Sequence, residues 1–199
     1  MTDLWTIENS IYDEGYVSIC GVDEAGRGPL AGPVCAAAVC LPRGIDIPGL
    51  NDSKKLTENK REQLFDVIID KSLSIGIAFA SVSEIEELNI LEATYLAMNR
   101  AISKLSGLPE LALIDGNRNK SITCNSRCVV KGDALCADIA AASILAKVTR
   151  DRYMREMAVR FPEYGFEKHK GYGTKEHYAA IRQYGPCEIH RLSFLKNMH

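Results

Sequence analysis

Two apolar, partly β-branched runs, Val17 to Val22 and Pro33 to Leu41, are joined by a polar, glycine-rich segment from Asp23 to Gly32. That arrangement reads as strand, loop, strand. Val34 to Leu41 is the longest apolar stretch in the chain and far too short to cross a bilayer, so it belongs in a buried sheet and no membrane attachment is expected. The elements alternate from there. Thr57 can cap a helix running to about Asp70, with Leu64, Val67 and Ile68 on one face, and Leu73 to Val82 returns as a strand. Ser83 with Glu86 has capping-box spacing, and Asn89 with Glu92 opens a helix to about Leu105. Leu111 to Asp115 and Cys128 to Lys131 read as short strands, with a turn at Asp115-Gly116-Asn117. Asp138 to about Val159 is the clearest helix, and its alanines at 140, 141, 142 and 146 let it lie close against a sheet. A last helix near Thr174 to Gln183 precedes a tail carrying His190-Arg191. The sum is an α/β fold, a mixed sheet of about five strands flanked by helices, followed by a helical C-terminal addition.

A chain of 199 residues fits one catalytic-sized domain, 1–199, divided into a leader (1–16), a core (17–160) and a helical extension (161–199). A formal charge of −2 excludes a generally basic nucleic-acid coat, so any such contact must be local. Lysine and arginine gather at Lys54-Lys55, Lys147 to Arg152 and Lys168-His169-Lys170. The start Met1-Thr2-Asp3-Leu4-Trp5 lacks the pattern of a secretion signal. Seven cysteines leave one unpaired in any disulfide scheme, so reduced thiols and a cytoplasmic location are expected. Cys124 and Cys128 have no second pair or nearby histidine to complete a zinc site, which favours plain thiols.

Asp23 and Glu24 stand where the first strand meets its turn, a place where a rigid scaffold exposes side chains. Neighbours in an extended strand point to opposite faces, so both reach one ion only if the backbone turns here. Taken alone, the pair is also what a solvated acidic turn looks like. Asp115 likewise ends an apolar strand, and strand-end carboxylates of neighbouring strands can converge. Asp133, in Lys131-Gly132-Asp133, would be a fourth acid, although an aspartate before a helix is also favoured by the helix dipole. Hard oxygen ligands without histidine or cysteine suit Mg²⁺ or Mn²⁺, and such sites usually work on phosphates. Two ions about 4 Å apart can serve both the attacking water and the departing 3′-oxygen of a phosphodiester.

Gly26-Arg27-Gly28-Pro29 follows the acids, and glycines let a backbone approach a sugar edge such as a ribose 2′-hydroxyl; a mere tight turn has the same composition. Asp52-Ser53-Lys54-Lys55 offers a hydroxyl and two ammonium groups for backbone phosphates. Ser143, Lys147 and Arg150 share one face of the long helix, with Asp151 available to pair with Lys147. Tyr172, between glycines in His169-Lys170-Gly171-Tyr172-Gly173-Thr174, is a candidate stacking platform for a sugar or base, or equally a turn tyrosine packed on the domain.

These stretches, in order, resemble the ribonuclease HII family from about Val17 to Phe194. The resemblance is carried by Gly21 through Pro29, Leu50 through Leu56, Glu87 through Leu91, Leu113 through Asn117, Val130 through Asp133, Ala140 through Asp151, and His169 through Thr174. It implies a ribonuclease H-like fold in which Asp23, Glu24, Asp115 and Asp133 hold divalent ions. It also implies that Gly26-Arg27-Gly28 reads the 2′-hydroxyl at an RNA-to-DNA junction and that Tyr172 stacks on the neighbouring deoxyribose. The implied partners are RNA–DNA hybrids and duplex DNA containing ribonucleotides, cut on the 5′ side of a ribonucleotide by a monomer. The ends left are 3′-hydroxyl and 5′-phosphate, and the implied roles are primer removal and ribonucleotide excision. The related ribonuclease HIII type carries Gly-Lys-Gly at the junction loop and an added N-terminal domain, whereas this chain has Arg27 and a short leader. Asp138 is a competing fourth acid, and Asp133 is preferred because it occupies the family's Lys-Gly-Asp motif. A hybrid-binding module without catalysis, or another nuclease of the same broad fold, are the alternatives.

Overall fold

The computed structural model describes residues 4–196, so Met1 to Asp3 of the expected leader and the last three positions lie outside the described residues. Five strands form one mixed sheet in the order β3-β2-β1-β4-β5. These are β1 (Ile19–Ala25), β2 (Val34–Cys40), β3 (Ser74–Ala80), β4 (Leu111–Asp115) and β5 (Ser126–Val129). β1 pairs antiparallel with β2, placing Asp23 opposite Ala37, and parallel with β4, placing Val22 opposite Ile114. The central strand, which leads into the glycine loop, is therefore flanked by β2, which follows that loop, and by β4, which ends in Asp115.

The helices are α1 (Thr6–Asp13), α2 (Glu58–Lys71), α3 (Val82–Leu88), α4 (Ile90–Ser103), α5 (Ala137–Arg160), α6 (Phe166–His169), α7 (Lys175–Tyr184) and α8 (Leu192–Leu195). One sheet face packs Val22, Ala36 and Ile114 against Ala97, Met98 and Ile102 of α4. The other packs Ala37 and Val39 against Ile144 and Leu145 of α5 and Leu64 and Ile68 of α2. Each buried Ile or Leu there contributes roughly 1.5–3 kcal/mol. The segment expected as a leader forms α1, whose Ile11 packs with Ile19, Leu111 and Ile139. The C-terminal helices build a satellite cluster in which Phe166, Ile181 and Ile189 meet Leu30 and Met154.

The small residues of α5 have a specific use. A side chain at Gly21 would lie 2.2 Å from the backbone of Asp138 and Ile139, so β1 and α5 touch through a position only glycine can fill. Ala140, Ala141, Ala142 and Ala146 of the same helix are fully buried.

Three local expectations shift. The capping box is Ser81 with Glu84, not Ser83 with Glu86, because β3 stops at Ala80 and the first free position caps the helix. Ser81 Oγ accepts from Glu84 N at 3.2 Å while the Glu84 carboxylate accepts from Ser81 N at 2.8 Å. β5 begins and ends two residues earlier than Cys128 to Lys131, since Lys131 takes a left-handed conformation (φ 59°) that opens a 3₁₀ turn at Gly132–Ala134. β1, finally, does not end before Asp23: the ladder with β2 runs on through Glu24 and Ala25. Helix α4 opens at Asn89 as expected, with its side-chain oxygen accepting from the Leu91 and Glu92 amides.

Candidate active site

The late end of β1 decides how the acids meet. With the strand still extended at Asp23 and Glu24, their side chains take opposite faces of the sheet. Asp23 faces α5, where it hydrogen-bonds Ser143. Glu24 faces the α4 side, beside Thr94 and Tyr95, and its carboxylate pairs with Arg27 at 3.2 Å. Asp115, at the end of β4, joins Asp23, and Asp133 reaches the same point from the 3₁₀ turn before α5. One ligand oxygen from each of Asp23, Asp115 and Asp133 lies within 4.8 Å of the others. The structure thus brings three of the four predicted acids to one point and sets Glu24 at its rim. Glu24 remains electrostatically joined to the group, for its charge is a leading cause of the Asp23 shift.

Backbone amides fix two of these carboxylates. Asp115 Oδ1 accepts from Gly132 N at 2.7 Å, which ties β4 to the turn that supplies Asp133. Asp23 Oδ1 accepts from Glu24 N at 2.7 Å. Even so, burial pushes the Asp23 carboxyl well above the usual range, and the charges of Glu24 and Asp115 push it further. Burial also raises Asp115, with the Asp133 charge adding, and it raises Glu24 against the opposing pull of Arg27. Crowded carboxylates that repel one another are stabilised by a cation, and one is present: Lys54 Nζ donates to Asp133 Oδ2 at 3.0 Å. Burial alone would lower the Lys54 pKa; the Asp133 hydrogen bond and the surrounding acids outweigh it and raise the value. An all-oxygen set of this kind fits a hard divalent cation.

A cleft of about 220 Å³ opens beside the cluster. Gly26, Arg27 and Gly28 line it together with Ser53, Lys54, Ser143, Lys147 and Tyr172, and so do Asp23, Glu24 and Asp115. All eight predicted substrate-contacting residues therefore share one cavity with three of the four acids, while Asp133 stands behind Lys54. Ser53 and Ser143 hydroxyls are 2.8 Å apart, joining the lysine loop to α5. Lys147 donates to Asp151 at 2.8 Å, as the helical spacing suggested, and its ammonium stands 6.0 Å from the centre of the Tyr172 ring. Tyr172 is 44% exposed, so its ring is available at the cleft rim rather than packed inside.

Two residues singled out by sequence lie elsewhere. Arg150 shares its helix with Ser143 and Lys147 but is buried beneath the glycine loop. Asp138 is fully buried among α1 and β2, accepting from Leu41 N at 2.9 Å, and takes no part in the cleft. Two other contributions escaped the sequence reading. Arg61 of α2 holds the Ser53-Lys54 turn by donating to the Ser53 carbonyl at 3.0 Å. A second recess of about 260 Å³, lined by Glu24, Arg27, Asp115, Asn117 and Arg118, lies on the α4 side of the acids. The turn after Asp115 signalled neither arginine nor recess, because a loop cation has no partner in the sequence to mark it.

The whole chain can be set against known proteins. The family pattern described as Ribonuclease HII matches residues 20–197. A Ribonuclease HII of Acetivibrio thermocellus is 56% identical over 190 residues, 96% of this chain and 74% of that protein. One from Caldicellulosiruptor bescii is 55% identical, over 96% of this chain and 93% of that protein. The crystal structure of the ribonuclease H2 from Pyrococcus horikoshii is similar, at 28% identity and a TM-score of 0.72, covering 91% of this chain and all of the other. The α/β sheet with its acid-bearing strand ends and the matches along its length place this chain in the ribonuclease HII family, hydrolases acting on the phosphodiester bonds of RNA in RNA–DNA hybrids.

Proposed function

We propose that the chain cuts the RNA strand of hybrids and also cuts on the 5′ side of a single ribonucleotide embedded in duplex DNA. Asp23, Glu24, Asp115 and Asp133 would hold a pair of divalent ions, Mg²⁺ or Mn²⁺. The observation that carries this reading is the convergence of three carboxylates with the glycine loop and Tyr172 on one cleft. Bound divalent ions supply concentrated positive charge at the scissile phosphate and a more acidic water.

The remaining chemistry belongs to the side chains. Lys54 and Lys147, which line the cleft, would meet backbone phosphates near the cut, and the Ser53 and Ser143 hydroxyls would offer neutral contacts beside them. Tyr172 would offer its ring to a sugar, and the Gly26-Arg27-Gly28 backbone, which lines the same cleft, would read a 2′-hydroxyl. A water oxygen attacks phosphorus, the bond from phosphorus to the upstream 3′-oxygen breaks, and that oxygen takes a proton. The products are a 3′-hydroxyl and a 5′-phosphate on the ribonucleotide. A monomer acting in the cytoplasm is part of the same reading.

The test is single-turnover cleavage of a duplex holding one ribonucleotide, beside an all-DNA duplex, with and without chelator. Cleavage at the ribonucleotide alone, abolished by chelator, is expected. Cutting of long hybrid but never of the lone ribonucleotide would reject the finer reading, and full activity of Asp115→Asn would reject the metal assignment.

A further inference from the structure

Arg191 and Arg150 are 0% and 1% exposed, yet neither forms an ion pair among the described residues. Both guanidinium groups are turned entirely to main-chain carbonyls. Arg191 donates Nε to Gly32 O at 2.9 Å, Nη1 to Arg27 O at 2.9 Å and Pro29 O at 2.8 Å, and Nη2 to Gly26 O at 2.6 Å. Arg150 donates to Pro33 O at 3.0 Å, Ala31 O at 2.9 Å and Lys170 O at 3.0 Å. Six of these seven acceptors belong to the segment 26–33, and the seventh is two residues from Tyr172. Burying two like charges side by side is costly. Burial, followed by the Arg150 charge, brings the Arg191 pKa down to about 9. Filling space does not explain the arrangement, since an apolar side chain would do so without the charge.

Peptide planarity shows what the arrangement accomplishes. In a trans peptide the C=O and the next residue's N–H point in opposite directions, and no peptide among the described residues is cis. Arg191 grips the carbonyls of Gly26 and Arg27, so the amide hydrogens of Arg27 and Gly28 are turned away from it, and both residues line the cleft, which Arg191 does not. The backbone at Gly26 has a φ of 97°, and a side chain there would lie 2.0 Å from Arg150 Nε, so the glycine is shaped around the arginines as much as around any ligand. The loop meets the tyrosine segment through Leu30 N, which donates to Gly171 O at 2.8 Å, and meets the arginine's own segment through Arg191 N, which donates to Leu30 O at 2.8 Å.

We propose that Arg191, supported by Arg150, is a positioning residue that sets the peptide orientation of Gly26-Arg27-Gly28. It turns that loop into a pair of amide donors for the 2′-oxygen of a ribonucleotide. This rests on the reading that the loop meets the sugar. A deoxyribose leaves such donors facing no acceptor, and sites built to hydrogen-bond a hydroxyl reject its absence strongly. The two arginines thereby govern the preference for ribose over deoxyribose while touching neither.

The experiment measures binding in Ca²⁺, and cleavage in Mg²⁺, for two duplexes identical except for one 2′-hydroxyl. Unaltered protein, Arg191→Lys and Arg150→Lys are compared, with folding followed by circular dichroism. Arg191→Lys keeps the charge and loses the fork. Its ribose-to-deoxyribose preference should fall about a hundredfold, with affinity for the all-DNA duplex unchanged, and Arg150→Lys should show the smaller loss. A folded Arg191→Lys with undiminished preference would overturn the proposal. If the unaltered protein shows no preference, the reading of the loop itself fails. If Arg191→Lys does not fold, Arg150→Lys decides: a folded Arg150→Lys with a reduced preference supports the proposal, and one with undiminished preference would reject it.

Discussion

The molecule buries two groups of carboxylates against α5, and they behave in opposite ways. Glu8 and Asp138 meet at the first turn of the helix, both fully buried, where Glu8 accepts from Asp138 N at 3.2 Å and Asp138 accepts from Leu41 N. Asp23, Asp115 and Asp133 also meet at one point, but there Asp23 and Asp115 open onto a cleft lined by Lys54, Lys147 and Arg27. Burial raises Asp138 just as it raises Asp23, with a neighbouring carboxylate adding to each. A raised acid is therefore no mark of function by itself. What separates the groups is access, along with a cation on one of them. The sealed pair joins α1 and β2 to α5, and the open group is left with repulsion that a divalent ion can relieve.

The sharpest way to break this comparison is to neutralise one acid in each group. Asp115→Asn should lose at least about a thousandfold in single-turnover cleavage, roughly 4 kcal/mol, whereas Asp138→Asn should keep the rate of the unaltered enzyme. Comparable losses in both variants would mean that access does not distinguish them. A smaller effect concerns stability. Asp138→Ala leaves the buried Leu41 amide without its acceptor and should cost about 1–3 kcal/mol in urea unfolding, while Asp23→Ala should cost less in metal-free buffer because it removes repulsion.

The smallest expected effect is in the pH dependence of stability. Asp138 has a folded pKa above its ordinary 3.8, so the folded state holds that proton more tightly than the unfolded chain. Its contribution is lost as pH rises from 3.8 through the raised value and regained on acidification. Glu84, lowered to about 2 chiefly by its hydrogen bond to Arg100, works in the other direction and loses its contribution as pH falls below 4.5. Chemical unfolding followed from neutral to acid pH should show the Asp138 share vanish in Asp138→Asn and persist when Mg²⁺ is added. A Mg²⁺-dependent change in that share would place the ion at the sealed pair instead.

The legible parts of this molecule are those encoded locally. Apolar runs gave the strands of the sheet, the alanines of α5 announced a close helix, and each acid stood in a short motif whose resemblance to a family supplied its grouping. The position of Glu24 was not legible, because nothing in Asp23-Glu24-Ala25-Gly26 marks where the ladder to β2 stops, and that stop decides which face a side chain takes. Arg191 was visible only as part of a tail: its acceptors are carbonyls about 160 positions earlier, and a carbonyl has no residue identity to recognise. The Glu8–Asp138 contact spans 130 positions and joins a presumed leader to a helix start, so no local pattern could announce it.

Helix α5, about 36 Å long, carries Asp138, Ser143, Lys147 and Arg150 at successive stations on one rigid rod. Removing a single residue midway would swing everything beyond it by about 100° and draw it back about 1.5 Å. The sealed anchor, the cleft and the arginine cradle could then no longer be in phase. The helix must therefore be inherited as one uninterrupted frame.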